Sequence, residues 1–368
     1  MSLLNILSAE SIELILNELT IFEIIIISTY SNKVQELIQS ARYRLQLVDI
    51  LDTEHNYERR LKVGNDKEFV LFVNFNDLAG GEADKLEVDG LGSVEYFPIL
   101  NQHFGVQEFT KLKLESIVKH LLNTFVVEKV NLNLNDCRID NPLDHFAFKF
   151  TRRFHCIQLN DRNKLCLTAA QVTSILEDFQ IGSLIFNFKL KEGEEEFKYC
   201  TGLKPFEISL TSPPWLHFDA VLNSESAYIS IQEHDFTSAN WNQLIKKWMS
   251  GDLNNLITVH HRYSHSLRTE RSRGWQEEYA EQVFEGVEKK KTANGESQMV
   301  LFRTSTNVLN AMFSRYDLIR SDGKRASVGI EESVFRMHVW GPEVYQQFEE
   351  GFGEEQLRER RKLLPDIF

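Results

Sequence analysis

Cysteine is scarce. Four thiols in 368 residues, Cys137, Cys156, Cys166 and Cys200, stand 19, 10 and 34 positions apart, too few and too scattered for the disulfide framework of a small secreted fold. The same spacing offers no close pair for a zinc knuckle or a redox dithiol, so reduced, half-buried thiols are the expectation. With only 18 Gly and 7 Pro the chain is neither collagen-like nor of low complexity. No Lys or Arg precedes Lys33, whereas Glu10, Glu13 and Glu18 interrupt the first apolar stretch, which is the wrong flank for a signal peptide. The longest apolar run nearby, Ile24 to Ile27, is far too short to span a bilayer. No Asn has Ser or Thr two positions on, so N-glycosylation acceptors are missing too. A cytoplasmic or nuclear protein with no membrane partner is the expectation.

Positive charge is also in short supply. Against 54 Asp and Glu stand 41 Lys and Arg, a net charge of −13, and such a surface on average repels phosphate backbones. No nucleic-acid partner is expected. The basic stretches Arg262 to Arg273 and Lys289 to Lys291 read as charged loop in an acidic protein.

Catalytic motifs are missing as well. Gly80, Gly81, Gly90 and Gly92 do not have phosphate-loop spacing, no Gly-x-Ser-x-Gly elbow occurs, and His261-Arg262-Tyr263 lacks the Asp of a kinase catalytic loop. His260, His261 and His265 form the one concentration of metal-ligand types, without a neighbouring carboxylate or thiol at ligand spacing. The expectation is a protein that is not an enzyme and carries no cofactor; a cryptic metal site at these histidines is the remote alternative.

What is present is a helical head followed by alternating strands and helices. Ile12, Ile15, Leu16 and Leu19 share one helix face, IFEIIIIS after Thr20 is apolar nearly all round, and Val34, Leu37, Ile38 and Ala41 repeat the spacing. So small a piece buries little surface alone, and its isoleucines call for a partner or the rest of the chain. Phe69 to Phe75 reads as a strand, and Ala79 to Gly92, rich in Gly and acid, as a solvated loop. Leu114, Ile117, Val118, Leu121, Leu122 and Phe125 give the clearest helix, followed by alternating Val130, Leu132 and Leu134.

The pattern recurs. A strand around Ile157 and Leu159 precedes a helix with Val172, Ile175, Leu176 and Phe179 behind a Thr168 cap, then a strand with Leu184, Phe186, Phe188 and Leu190. Further strands follow at Phe206 to Leu210, Ile229 to Ile231 and Leu256 to Val259, with a helix carrying Trp241, Leu244, Ile245, Trp248 and Met249 before the last of them. Trp241, Leu244 and Trp248 read as core. Strand centres recur at about 22 to 29 residues, the range of leucine-rich β/α repeats. The fold class is therefore α/β, an irregular leucine-rich-repeat-like scaffold, with a doubly wound sheet as competitor. Residues 265–297 read as a polar insertion. Met299 to Phe302, Phe313 to Arg320, Arg325 to Ile330 and Val334 to Trp340 read as strands of a small antiparallel closing element, with Asp322-Gly323 as a hairpin turn. The C-terminal EEQLRERRKLL reads as a charged helix.

The N-terminal segment LLNILSAESIELILNELTIFEIIIISTYSNKVQELIQ resembles an F-box, in the shorter form of nematode F-box families. Leu7, Ile15-Leu16, Leu19, Phe22-Glu23-Ile24-Ile25, Ser31-Asn32-Lys33, Leu37 and Ile38 carry the likeness; Ser8 and Ile21 stand where the family usually has Pro. SAYISIQEHDFTSANWNQLIKKWMSGDLNNL and RYDLIRSDGKRASVGIEESVFRMHVW resemble the F-box-associated domain of the same families. The resemblance implies an F-box at 1–44, a β/α repeat-like domain at 45–342 whose part 205–342 is the associated domain, and a charged tail at 343–368. It implies a substrate receptor of a Skp–cullin–F-box ubiquitin ligase, a monomer within the complex, joined to the Skp-type adaptor and through it to cullin. Leu7, Ile15, Leu16, Leu19, Phe22, Ile24 and Ile25 would meet the adaptor. An unknown target protein would lie on the strand face, for which alternation suggests Asn131, Asn133, Gln158, Asn187, Gln232 and Thr258. The alternative is a partner-binding scaffold with a degenerate F-box and no ligase role.

Overall fold

The computed structural model describes residues 9–30, 32–52, 59–65, 69–74, 84–88, 92–97, 103–106, 110–134, 141–160, 165–263, 275–291, 298–303, 309–314, 316–331 and 334–340. Leu7 and the tail 343–368 lie outside them. The chain divides into two compact units, Met1–Lys198 with Lys204–Leu210, and Tyr199–Leu203 with Thr211–Phe368.

Unit 1 opens with three helices, α1 (Ala9–Glu18), α2 (Ile21–Tyr30) and α3 (Asn32–Ala41). The α2 start is set by a reciprocal box. Glu23 accepts from the N–H and hydroxyl of Thr20, at 2.8 and 2.9 Å, while the Glu23 N–H donates to Thr20 Oγ1. The isoleucines are satisfied within the unit, with Ile21, Ile24, Ile25 and Ile26 all buried.

After β1 (Arg44–Asp52), β2 (Arg59–Gly64), β3 (Phe69–Asn74), β4 (Asp84–Val88), β5 (Gly92–Phe97) and β6 (His103–Val106) come α4 (Lys111–Thr124) and β7 (Val126–Asn133). They are followed by α5 (Phe146–Phe150), β8 (Arg153–Asn160), β9 (Cys166–Leu167), α6 (Ala169–Glu177), β10 (Gln180–Asn187), β11 (Lys189–Leu190) and β12 (Glu207–Thr211). β1, β7, β8, β10 and β12 pair in chain order, each parallel to the next. On the other side of β1 the pairing turns antiparallel through β2 to β3, β3 runs parallel to β6, and β6, β5 and β4 are again antiparallel. One strand face is apolar because the alternating Val48, Ile50, Val130, Leu132, Ile157, Leu159, Leu184, Phe186, Ile208 and Leu210 all bury there. Thr110 caps α4, and Thr168 with Gln171 forms a complete capping box on α6.

Three expectations change in unit 1. The segment 79–92 contains strand β4, which pairs with β5 through Leu86↔Val94 and its neighbours. Acid and glycine content suggested a loop, but a partner strand in register supplies the hydrogen bonds that composition cannot reveal. Leu190 belongs to a separate short parallel pair, β11 with β9, rather than to β10. The central strand β1 and its neighbour β2 carry charged residues at several positions, which hid them from a search for apolar runs.

Unit 2 contains α7 (Phe218–Leu222), β13 (Tyr228–His234), α8 (Ser238–Ser250), β14 (Thr258–Tyr263) and α9 (Trp275–Val283). They are followed by β15 (Lys290–Lys291), β16 (Gln298–Arg303), β17 (Leu309–Ser314), β18 (Tyr316–Ile319), β19 (Arg325–Glu331) and β20 (Val334–Val339). β13 and β14 are parallel; β14, β20, β19, β18 and β15 then pair antiparallel in that order, and β16 pairs with β17 as a separate hairpin. α8 begins at a Thr237/Asn240 capping box and ends at Gly251, whose φ of 94° is a left-handed conformation that glycine adopts without a Cβ clash. The core stacks Trp241 on Phe335, centroids 4.4 Å apart, with Leu244, Ile245 and Trp248 buried beside them.

The insertion 265–297 is not wholly an excursion. α9 buries Tyr279, Ala280 and Val283, with Phe284 following, and Asn242 on α8 donates to the carbonyls of Val283 and Glu285 at 2.8 and 2.9 Å. Four apolar residues among acids made too weak a period to register. Likewise 313–320 forms two strands, β17 and β18, rather than one. Among the described residues no helix is long and apolar enough to cross a membrane.

Candidate functional site

The open strand face of unit 1 is polar and arranged in rows. Asp49, Asn131, Cys156, Ser183 and Glu207 are successive register partners across β1, β7, β8, β10 and β12; Leu51, Asn133, Gln158, Ile185 and Ser209 form the next row. All ten are half-buried. Asn133 Nδ2 donates to Gln158 Oε1 at 3.2 Å, and Asn187 Nδ2 to Asn160 Oδ1 at 2.8 Å. The Oδ1 atoms of Asn131, Asn133 and Asn187 accept no hydrogen bond. Burial raises the pKa of Asp49 against the opposing charge of Lys62, raises that of Glu207 against a hydrogen bond from Ser183, and keeps the Cys156 thiol protonated. The three asparagine oxygens are closed off from solvent, so what the face offers a partner is its rows of half-buried polar side chains.

The structure brings Asn131, Asn133, Gln158 and Asn187 together on this face. Gln232 and Thr258 belong to unit 2. Gln232 is half-buried on β13, but Thr258 is not open to solvent: it is 6% exposed, with Oγ1 2.9 Å from His338 Nδ1. Alternation alone could not register the His338 side chain, brought opposite by the antiparallel β20.

The head divides its candidate adaptor residues. Leu16, Ile24 and Ile25 are core residues at 3%, 0% and 1% exposure, and Leu19 and Phe22 are half-buried, Phe22 with its ring 6.5 Å from Phe72 on β3. The Ser28 hydroxyl lies 2.7 Å from His120 Nε2 on α4, and Gln39 donates to the carbonyl of Asn123. Ile15, 47% exposed, faces solvent beside Leu14 at 68%, a residue the sequence pattern did not single out.

In unit 2, strand alternation separates the histidines. His261 points to the helix side, fully buried among Phe236, Trp241 and Tyr263, with Nε2 2.9 Å from the carbonyl of His234. His260 lies on the opposite face, and His265 is outside the described residues. Among the described residues no group of three or more His, Cys, Asp or Glu has a metal-holding arrangement. On the face of His260 the rows are Tyr228, Thr258, His338, Ser327 and Asp317; then Ser230, His260, Arg336 and Gly329; then Gln232, Arg262, Val334 and Glu331. Burial lowers the pKa of His260 to about 4, helped by the charges of Arg336 and Arg262, and burial lowers His338 to about 4.

Residues 199–260 match the model of the family described as F-box associated. The matched stretch runs from the Tyr199–Leu216 bridge through α7, β13 and α8 into β14, and supports an F-box-associated domain there. No curated protein and no solved structure matches the chain.

Proposed function

We propose that the chain is the target-recognition subunit of a Skp–cullin–F-box ubiquitin ligase, working in the cytoplasm or nucleus. The F-box-associated match at 199–260 carries this reading. The three helices at 9–41 support it, since they stand where the sequence resembles an F-box. The parallel run β1, β7, β8, β10, β12 supports the repeat-like reading of the scaffold, with its half-buried polar rows as the target's seat. The chain performs no chemistry of its own; holding the target beside a ubiquitin-charged enzyme raises the effective concentration of its lysines.

The buried Leu16, Ile24 and Ile25 favour a second reading, in which the head is an internal packing element and the chain a scaffold without a ligase. Co-expression with a Skp-type adaptor separates the two. The receptor reading expects a one-to-one complex by light scattering, lost on Leu14→Asp with Ile15→Asp while the chain stays folded. Separate elution of the wild-type proteins would leave the scaffold.

A further inference from the structure

On the open strand face of unit 1, Glu207 is a carboxylate without a counter-charge. At the other end of its row the charges are matched, since Asp49 on β1 has Lys62 as its register partner on β2 and the lysine opposes the effect of burial on the carboxyl. Asp52, at the end of the same strand, has Arg59 at 3.0 Å. Among the described residues Glu207 on β12 has no such cation. Its one side-chain hydrogen bond comes from the Ser183 hydroxyl on β10, 3.4 Å from Oε2, and burial raises its pKa with no neighbouring positive charge acting against that. Unlike the oxygens of Asn131, Asn133 and Asn187, those of Glu207 are not sealed. The side chain is half-buried, and Oε1, which takes no hydrogen bond among the described residues, is open to solvent.

A carboxylate held half out of water attracts a cation more strongly than a fully exposed acid does, because less water screens the pair. We propose that Glu207 is the specificity-determining residue of the target seat and receives a lysine or arginine side chain of the target segment; that the occupant is a target rests on the recognition reading above. A basic side chain brings the charge that this end of the face lacks, and it can donate to Oε1 while Ser183 keeps Oε2. The middle of the row, Asn131, Cys156 and Ser183, carries no charge, and Asp49 and Lys62 at the other end offset one another. Along this row Glu207 therefore distinguishes a basic segment from an acidic one. The net charge of −13 acts in the same sense at long range, drawing in basic partners and repelling acidic ones.

The test is fluorescence anisotropy on the full chain with three peptide pools, randomised with neutral residues around a central position that holds lysine or arginine, norleucine, or glutamate. Binding is expected to be strongest for the basic pool and weakest for the glutamate pool. Glu207→Gln should weaken binding of the basic pool about fivefold to tenfold, and Glu207→Lys should turn the preference toward glutamate. Glu192→Gln, which alters an exposed acid elsewhere in unit 1, should leave binding unchanged. Glutamine still accepts from Ser183, so Glu207→Gln should fold, and an unchanged melting temperature verifies that. Equal binding of the norleucine pool, no binding of any pool, or Glu207→Gln binding like wild type overturns the assignment. An adaptor complex formed without a preference among the pools would sink this site and leave the ligase reading; a basic preference kept without an adaptor complex would do the reverse.

Discussion

Asp52 and His145 are nearly inaccessible, at 2% and 0% exposure, with His145 Nε2 3.4 Å from Asp52 Oδ2 and Arg59 Nε 3.0 Å from Asp52 Oδ1. Burial works to raise the Asp52 pKa, but hydrogen bonding from His145 and the charges of Arg59, His145 and Lys111 outweigh it, so the carboxyl stays ionised. His145 Nδ1 accepts the Ala147 N–H at the start of α5. Replacing Asp52 with Ala leaves the half-buried Arg59 guanidinium without its carboxylate, and urea unfolding should show a loss of about 1–3 kcal/mol. The buried histidines set a pH dependence. His338 and His260 titrate near 4 in the folded chain and near 6.5 unfolded, so the unfolded state binds more protons between those values. Stability is full above pH 6.5 and falls on acidification toward 4; His338 alone contributes on the order of 2 kcal/mol of that loss by pH 5. His338→Phe should flatten the decline in melting temperature over this window, and an unaltered slope would refute the assignment. No sequence pattern marked Asp52 or His145, which meet from 93 positions apart; His338 lies in the window that resembles the F-box-associated domain, but its contact with Thr258, 80 positions away, was not readable there.

Helix ends were more readable than helix contacts. The Thr168 cap follows from a Thr before an apolar period, and the structure adds Gln171 as its reciprocal partner. At α8 the same logic predicts that Thr237→Ala costs about 1 kcal/mol in thermal unfolding. Gly251→Ala should cost a similar amount, because a Cβ is strained at φ 94°. α9 is different. Its hold on unit 2 depends on Asn242 bonding two carbonyls, and Ser238 Oγ donating to Gln282 at 2.6 Å. Asn242→Leu should expose α9 to hydrogen exchange and to limited proteolysis before the rest of the unit; uniform protection would show that its apolar face suffices.

The two-unit division places the helical head inside unit 1, where α2 packs on β3 and α4. Phe22→Ala, which removes a half-buried ring from the Phe72 contact, should loosen the head and raise protease sensitivity near 19–31 while leaving the strand rows intact. Should adaptor binding improve in that variant, the docked head would be the resting arrangement; should it disappear, the docked geometry would be the competent one. Chromatography of the co-expressed pair distinguishes these outcomes.

Periodicity and capping identify the strands β7, β8 and β13 and the helices α4, α6 and α8, because each buries one face and its amino acids repeat at the period of its own backbone. Composition alone constrains charge, thiol chemistry and the shortage of catalytic motifs in the same local way. The seat of the N-terminal isoleucines, the helix at 275–283 and the burial of Thr258 depended on partners tens of residues away, and the strand at 84–88 on its pairing with β5. The polar rows and the place of Glu207 beside Ser183 were equally out of reach, since strand register decides which side chains become neighbours, and register is a property of paired backbones rather than of any single segment.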